Sequence, residues 1–224
     1  MIKQSAFVVQ KYIERPLLIN NRKFDIRVWV LLDYNYDVYF FKEGYLRTSS
    51  SEYNPAATDD LFVHLTNYAV QKYANNYGTY EDGNQLTFRQ FQEILQKYHT
   101  GRSLQADVLP QIKRLITKSL LAVAEKLDPF KRAYSFELFG YDFILDQDFN
   151  TWLIECNTNP CLEESSLVTK GLVPRMIEDM MRIVVDGMFP APEERKNEAA
   201  MRLKKNKPRR PCPVEGYSNK DNLW

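Results

Sequence analysis

The sequence predicts an α+β fold in which an antiparallel sheet is flanked by helices. Several stretches alternate strictly between polar and apolar residues, as half-buried strands do. Short polar, turn-prone segments separate these stretches, which favours hairpins between neighbouring strands. Two longer segments instead repeat apolar residues at helical spacing and begin with helix-capping residues.

The composition is that of a folded, water-soluble protein. The chain has 224 residues, of which 44% are hydrophobic and 26% charged, and its net charge is +1. No apolar run reaches the length of a membrane span, and the first residues lack the pattern of a signal peptide. Three cysteines are too few and too oddly spaced for a disulfide framework or a zinc site. We therefore expect an intracellular protein with no membrane or nucleic-acid partner.

The first predicted strand covers residues 7–13 and begins without any preceding element to cover its edge, so we expect further sequence upstream. Arg15-Pro16 ends this strand and Asn20-Asn21 marks a turn. The next strand, residues 23–30, alternates strictly. Its apolar face consists of Phe24, Ile26, Val28 and Val30, and its other face of Lys23, Asp25, Arg27 and Trp29.

The charged face of this second strand has two interpretations. Cations, a carboxylate and an aromatic ring in one row could hold the phosphates and hydroxyl groups of a nucleotide. A surface strand with cross-strand ion pairs would have the same pattern. The chain then turns at residues 33–37, returns through residues 38–41 and turns again at Glu43-Gly44, which places Arg47 in the same meander near Arg27.

Three later segments predict helices. Thr87 and Gln90 form a capping box at the start of the first. The second starts near Asp107, with Pro110 in its first turn, and the third spans residues 169–189. We expect these helices to pack on the sheet and to carry no chemistry. His64 lies between the strands and the first of these helices. A lone histidine more often has a structural role than a catalytic one.

The last hairpin pairs residues 141–146 with residues 151–157 across a polar turn. If Asp146 pairs with Thr151, Asp142 faces Glu155, and Asn157 lies one step away on the same face. The opposite face is then wholly apolar, which fixes the register. That apolar face consists of Tyr141, Phe143, Leu145, Trp152, Ile154 and Cys156.

Two carboxylates facing each other across strands repel unless a cation lies between them. Oxygen ligands from Asp142, Glu155 and Asn157 suit a hard ion such as magnesium carrying a nucleotide. A solvated strand face that happens to be acidic is the alternative. No glycine-rich phosphate loop occurs anywhere in the sequence, so such a site would be built from sheet side chains.

The order of these motifs resembles the ATP-grasp ligases, and specifically the tubulin tyrosine ligase and tubulin tyrosine ligase-like family. The resemblance covers residues 7–190. It is carried by Gln10-Lys11-Tyr12-Ile13, Lys23-Phe24-Asp25-Ile26-Arg27, Glu43-Gly44-Tyr45-Leu46-Arg47, His64-Leu65-Thr66-Asn67, Phe139-Gly140-Tyr141-Asp142-Phe143 and Ile154-Glu155-Cys156-Asn157.

The resemblance implies an ATP and Mg2+ site and a role for each matching residue. The adenine side would be formed by Gln10, Lys11, Tyr12 and Ile13, the base and ribose contacts by Lys23 and Asp25, and the phosphate border by His64, Thr66 and Asn67. The catalytic arginines would be Arg27 and Arg47, holding the transferring phosphate or the incoming carboxylate. The magnesium ligands would be Asp142, Glu155 and Asn157.

Members of this family use ATP to phosphorylate a carboxylate of tubulin, and the amino group of a free amino acid then attacks the acylphosphate. The resemblance thus implies a ligase acting on tubulin or microtubules, in the cytoplasm, at the cytoskeleton or in the cilium. Removing the side chain of Arg27 or Glu155 is expected to lower turnover by orders of magnitude with little loss of fold.

The added amino acid and the activity itself stay open. Residues 43–49 and 76–84 are most like the tyrosine ligase and residues 157–161 like the glutamate-adding branch, with glycine as a third choice. The family's upstream lobe has no counterpart, so residues 1–190 would be the carboxyl-terminal part of the catalytic domain. The alternative is a non-catalytic tubulin-binding module. Residues 191–224 form a basic, proline-containing tail that we expect to be disordered and suited to an acidic surface.

Overall fold

The computed structural model describes residues 9–127, 132, 134–186 and 188–189. It confirms the predicted fold class, because its centre is a six-stranded sheet in which every pairing is antiparallel. Five strands follow the order β4-β3-β2-β5-β6, and β1 pairs with β2. The strands are β1 (Leu18–Ile19), β2 (Arg22–Leu32), β3 (Val38–Glu52), β4 (Gln85–Thr87), β5 (Glu137–Leu145) and β6 (Thr151–Asn157).

The helices of the described part are α1 (Leu61–His64), α2 (Tyr68–Gln71), α3 (Phe88–Tyr98), α4 (Leu109–Leu127) and α5 (Leu167–Met181). The capping box at α3 is confirmed: the Thr87 hydroxyl accepts from the Gln90 amide, and the Gln90 side chain accepts from the Thr87 amide. A second capping box, which the sequence did not reveal to us, starts α5 at Ser166 and Thr169. Such reciprocal bonds satisfy amides that a helix start would leave without partners.

Helices cover both faces of the sheet. On one face, α3 and α4 pack against the even-numbered residues of β2 through Phe91, Leu95, Ile112 and Ile116. On the other face, α5 packs against Trp29, which is fully buried. The second face is therefore apolar beneath α5 and charged beyond it, along β2 towards Asp25. That charged part is where the predicted site residues lie.

The predicted Asn20-Asn21 turn is confirmed. Both residues have positive φ angles, 49° and 61°, as a tight hairpin turn between β1 and β2 requires. The predicted turn at residues 33–37 is confirmed as well, and the Asp33 side chain accepts from the backbone amides of Asn35 and Asp37. The strict alternation of β2 is likewise confirmed.

The predicted first strand is wrong over its described part. Residues 9–13 form no strand, and Val9 is 95% exposed; residues 7 and 8 lie outside the described residues. Backbone bonding to the β5-β6 hairpin begins at Arg15, whose carbonyl accepts from the Gln147 amide at 3.0 Å. Pro16 then bridges to Asp146, and the Leu17 amide donates to the Leu145 carbonyl at 2.8 Å. β-Branched residues predicted a strand here, but no neighbouring strand pairs with this segment within the described chain.

The predicted turn at Glu43-Gly44 is also wrong, because β3 runs unbroken from Val38 to Glu52. Gly44 pairs with Val28, and the register shifts between Val28 and Val30. A Cβ at Gly44 would lie 2.5 Å from the Phe88 ring and 2.6 Å from the Arg27 carbonyl. The glycine therefore serves the close approach of α3 to the sheet rather than a change of direction.

The remaining helix predictions shift at their ends. The second helix starts at Leu109 after a π-helical turn at Leu104–Val108, and the third starts at Leu167 and ends at Met181 before a π-helical turn at Arg182–Asp186. Among the described residues, no helix is long and apolar enough to cross a membrane. The tail at residues 191–224 lies outside the described residues.

Candidate functional site

The carboxylates of the β5-β6 hairpin face each other, as predicted, but for a different reason. Thr151 pairs with Leu145 and not with Asp146, so the predicted starting pair is wrong by one residue. A β-bulge then adds Ile154 to β6, and this extra residue brings Glu155 opposite Asp142. The bulge thus restores the pairing of the two carboxylates that the wrong starting register had predicted.

The same bulge makes the predicted apolar face of β6 wrong at Trp152 and Ile154, whereas Cys156 pairs with Tyr141 as predicted. Leu153 and Thr151 pair with Phe143 and Leu145 on the core side. Trp152 is 47% exposed, and its ring nitrogen donates to Asp146 at 2.9 Å. A strict period of two along β6 could not reveal this, because the bulge changes the parity of the strand halfway.

Four charged side chains form a buried row across three strands, which we call the charged tetrad: Asp25, Arg27, Arg47 and Asp142. Cross-strand register places Arg47 opposite Asp25 and Arg27 opposite Asp142. Arg47 donates from Nε and Nη2 to the two Asp25 oxygens at 2.8 and 2.7 Å. Arg27 makes an equivalent two-point contact with Asp142, with Nη2 at 2.9 Å from Oδ2.

The two pairs of the tetrad are joined through Asp142. Its Oδ2 also lies 2.8 Å from Arg47 Nη2, so this carboxylate contacts both guanidinium groups. The Thr66 hydroxyl closes the other end by donating to Asp25 Oδ2 at 2.6 Å. Two-point arginine contacts of this kind fix geometry as well as charge. The two predicted catalytic arginines, the predicted nucleotide contact Asp25 and the predicted metal ligand Asp142 therefore meet in one network.

The charged side chains of the tetrad are almost completely buried: Asp142 is 2% exposed and Arg27 is 5% exposed. Burial alone would raise the pKa of Asp142, but hydrogen bonds from Arg27 and the charge of Arg47 outweigh it and hold this pKa below its usual value. Burial would also lower the pKa of Arg47, yet the charge and hydrogen bonds of Asp25 raise it well above the ordinary value. Arg27, Arg47 and Asp142 are thus ionised at neutral pH.

Three uncharged residues that sequence reasoning did not place in the site confine the arginines. Tyr45 lies opposite Arg27 in the register and is buried beside both guanidinium groups. A Cβ at Gly140 would lie 2.7 Å from Pro160 and 3.3 Å from Arg27 Nη1. A glycine inside a strand is a signal of close approach that could have pointed to this position.

A second group of predicted residues lies around His64. Lys23 donates to the Tyr12 hydroxyl at 3.3 Å and to the His64 carbonyl at 2.9 Å. The His64 ring lies 2.7 Å from the Tyr12 hydroxyl through Nδ1 and 2.9 Å from the Ala57 carbonyl through Nε2. A carbonyl only accepts, so Nε2 is the donor in the contact with Ala57. Burial lowers the pKa of Lys23, and Asp25 opposes only part of that effect.

The remaining residues of the predicted adenine side are exposed or half-buried. Gln10 donates to the Ile154 carbonyl of β6 at 3.3 Å, while Lys11 contacts Glu14 at 3.0 Å and Ile13 is half-buried. Asn67 is exposed at the start of α2 without a capping bond from its side chain. Gln10 thus lies beside β6, at the residue that precedes Glu155.

The predicted metal ligands differ in their surroundings. Asp142 is buried against two arginines, whereas Glu155 is exposed and accepts from Asn157 Nδ2 at 3.0 Å. The repulsion that we expected a metal ion to relieve is already relieved for Asp142 by Arg27 and Arg47. Within the described part of the chain, no group of three His, Cys, Asp or Glu side chains could hold a metal ion. Two carboxylates and an amide oxygen nevertheless form a donor set of the kind that magnesium accepts.

Comparisons with known proteins agree with this arrangement of motifs. The model of the family described as "Tubulin-tyrosine ligase family" matches residues 1–194. Tubulin glycylase 3D of Tetrahymena thermophila is 41% identical over 184 residues, or 80% of this chain. Tubulin glycylase 3B of the same organism is 36% identical over 87% of the chain, and the human protein monoglycylase TTLL8 is 39% identical over 82%.

The chain is much shorter than these relatives, since the matches span 18%, 16% and 22% of their respective lengths. The family match nevertheless includes every residue of the charged tetrad and of the β5-β6 hairpin. This chain belongs to the tubulin-tyrosine ligase family.

Proposed function

We propose that this chain forms the phosphate and metal side of an ATP-dependent ligase that joins glycine to tubulin. The observation that supports this most is the convergence of Arg27, Arg47 and Asp142 on one face of the sheet, with Glu155 directly across from Asp142. Phosphoryl transfer to a carboxylate brings two anionic reactants together, so it needs dense, fixed positive charge. The two buried arginines supply that charge.

The residues also fit the nucleotide and metal that such a reaction needs. Asp142, Glu155 and Asn157 would hold Mg2+, which when bound neutralises charge on the transferring phosphoryl group. Lys23, Tyr12 and His64 would border the nucleotide on the Asp25 side of the sheet, and Gln10 would do so beside Ile154. Arg27 and Arg47 would orient the phosphoryl group and the attacked carboxylate and exclude water from between them.

Glycine is proposed in place of tyrosine or glutamate because of the relatives. The sequence motifs divided between the tyrosine and glutamate branches, but the relatives compared above are named as glycylases. Tubulin is proposed as the acceptor because two of these relatives are named as tubulin glycylases. Microtubules in the cytoplasm or the cilium are proposed as the location because they contain tubulin.

The test is incorporation of isotope-labelled glycine, tyrosine or glutamate into purified tubulin by the 224-residue chain with ATP and MgCl2. We expect incorporation of glycine alone, lost in Glu155→Gln and kept in Glu93→Gln, a matched change on the exposed face of α3. Incorporation of tyrosine or glutamate would overturn the amino acid. Salt-sensitive, magnesium-independent tubulin binding without any incorporation would overturn the ligase and support the binding module instead.

A further inference from the structure

We propose that residues 202–210 of this chain dock on an exposed aromatic and acidic patch at the end of the sheet where β2 finishes at Leu32. This end of β2 is the one remote from Asp25, and the inference does not depend on the proposed ligase activity. The patch consists of three rings, which we call the aromatic ladder, and three carboxylates: Tyr34, Tyr134 and Phe189, with Asp37, Glu137 and Asp186.

The aromatic ladder is a continuous run of rings at the protein surface. The ring centroids of Tyr34 and Tyr134 lie 6.1 Å apart, and the Phe189 ring stacks on the Tyr134 ring at 5.8 Å. Although they contact each other, Tyr134 is 59% and Phe189 61% exposed. Val38 and Phe136, at the same end of the sheet, are 48% and 39% exposed. Large apolar groups exposed together are typical of a surface that another segment covers.

The three carboxylates of the patch give it a negative charge. Asp37 lies in the turn between β2 and β3, and Glu137 pairs with Leu32 at the start of β5. Asp186 follows Val185, which packs against the apolar cluster around Leu31. All three are exposed, and none makes an ion pair among the residues that the structure describes. Aromatic faces also attract cations, so rings and carboxylates together favour a cationic occupant.

Residues 202–210 have the complementary charge and can reach the patch. They contain no Asp or Glu and six cations: Arg202, Lys204, Lys205, Lys207, Arg209 and Arg210. The described chain ends at Phe189, within the aromatic ladder, and residues 190–201 can extend over about 40 Å. This short tether gives the basic segment a high effective concentration at the patch, so that weak individual contacts suffice. An acidic partner of the tail would compete with the patch for the same cations.

The experiment is zero-length cross-linking of the 224-residue chain with a water-soluble carbodiimide, followed by peptide mass spectrometry. This reagent joins lysine amines to carboxylates that they contact. We expect links from the lysines of residues 202–210 to Asp37 and Glu137. These links should be at least about fivefold more abundant than links to Glu93, an exposed carboxylate on α3. About 1 M NaCl, which shortens the Debye length to about 3 Å, should reduce this preference.

A double variant, Tyr134→Asn with Phe189→Ser, tests the aromatic ladder. Asparagine tolerates the positive φ of 63° at residue 134, so the backbone is kept. The links should fall about fivefold, and trypsin should cut after Lys204, Lys205 and Arg209 about fivefold faster, because cleavage follows the population of undocked tail. The matched control is Tyr98→Asn, at a tyrosine that is 58% exposed on α3, and it should change neither quantity. Thermal unfolding confirms that both proteins are folded.

Mixing unlabelled and isotope-labelled chains before cross-linking identifies which chain's tail occupies the patch. Links within single chains support the proposal. Links between a labelled tail and an unlabelled patch would show that the tail of a second copy lies there, and docking of the chain's own tail would be overturned. Tail links that are absent, that reach Glu93 as often as Glu137, or that persist in the double variant would overturn it as well. None of these outcomes bears on the proposed ligase site, because no residue of that site is altered.

Discussion

The two faces of β2 are buried to nearly the same degree by opposite kinds of interaction. Phe24 and Ile26 are 0% exposed beneath α3 and α4, while Asp25 and Arg27 on the other face are 4% and 5% exposed within the charged tetrad. Apolar packing depends on how closely the side-chain volumes fill the interior, so removing an apolar side chain leaves a gap. A buried charged side chain can also interact with an oppositely charged ligand, so the second face can be buried and still bind such a ligand.

The largest expected effect comes from opening the apolar face. Phe91→Ala should lower the free energy of unfolding by about 3–5 kcal/mol, because the ring is fully buried and packs 5.4 Å from that of Phe24. Urea unfolding measures this, with Leu121→Ala as the control, since Leu121 is 71% exposed on α4 and should change stability by less than about 0.5 kcal/mol. Similar losses in the two variants would contradict the difference in burial.

Two substitutions on the charged face should lower catalysis alike but differ in their effect on stability. Arg27→Gln and Glu155→Gln should each lower ligase turnover about 100-fold, since both groups would act on the transferring phosphate or its metal. Arg27→Gln should also cost about 3 kcal/mol of unfolding free energy, because it leaves Asp142 buried with Arg47 as its remaining ionic partner. Glu155→Gln should cost less than about 0.5 kcal/mol, because Glu155 is exposed.

These two stability predictions revise the expectation from sequence that neither substitution would destabilise the fold. The expectation still applies to Glu155, but Arg27 is part of a buried ion pair that no sequence pattern shows. Chemical denaturation and turnover of the same samples provide the comparison. An Arg27→Gln protein as stable as the unchanged chain would mean that the tetrad contributes nothing to the fold.

A smaller effect is expected from pH. The folded pKa of Asp142 is lowered, so folding favours its charged form, and this contribution is present above the unfolded value of about 4 and is lost as pH falls through the lower folded value. Stability should therefore fall more steeply below about pH 4 in the unchanged chain than in Asp142→Asn, which has no such group to protonate. Parallel curves from urea unfolding at several pH values would contradict the assignment.

The sequence predicted the parts of the fold that depend on local chemistry. Alternation located β2, the asparagine pair located its preceding turn, and Thr87 with Gln90 located the start of α3. The segments predicted wrongly depend on contacts with distant residues. Gly44 reads as a turn unless Phe88 and the Arg27 carbonyl are known to lie against it. Residues 9–13 read as a strand although nothing pairs with them in the described chain.

For the site, the sequence supplied the residues but not their partners. The strand face of Lys23, Asp25 and Arg27 left nucleotide binding and cross-strand ion pairing as alternatives, and the structure contains the ion pairs: Asp25 with Arg47 and Arg27 with Asp142. The same strand face carries the ion pairs and the residues proposed to contact the nucleotide, so the two interpretations are compatible. Pairing across strands depends on which strands are neighbours and on the bulge at Ile154. Neither is encoded in the period of a single strand.

The smallest effects are expected from replacing glycine by alanine at two positions, which adds the same methyl group at each. At Gly140, a Cβ would lie 2.7 Å from the Pro160 Cβ and 3.3 Å from Arg27 Nη1, so Gly140→Ala should cost about 1–3 kcal/mol and shift Arg27. At Gly171, inside α5, a Cβ meets nothing within 4 Å, so Gly171→Ala should add about 0.5–1 kcal/mol through helix propensity. Urea unfolding gives both values, and ATP affinity should fall only in Gly140→Ala. If both substitutions stabilise the chain equally, Pro160 and Arg27 can move away from the added methyl group at no cost. The charged face would then be packed no more tightly than an exposed helix surface.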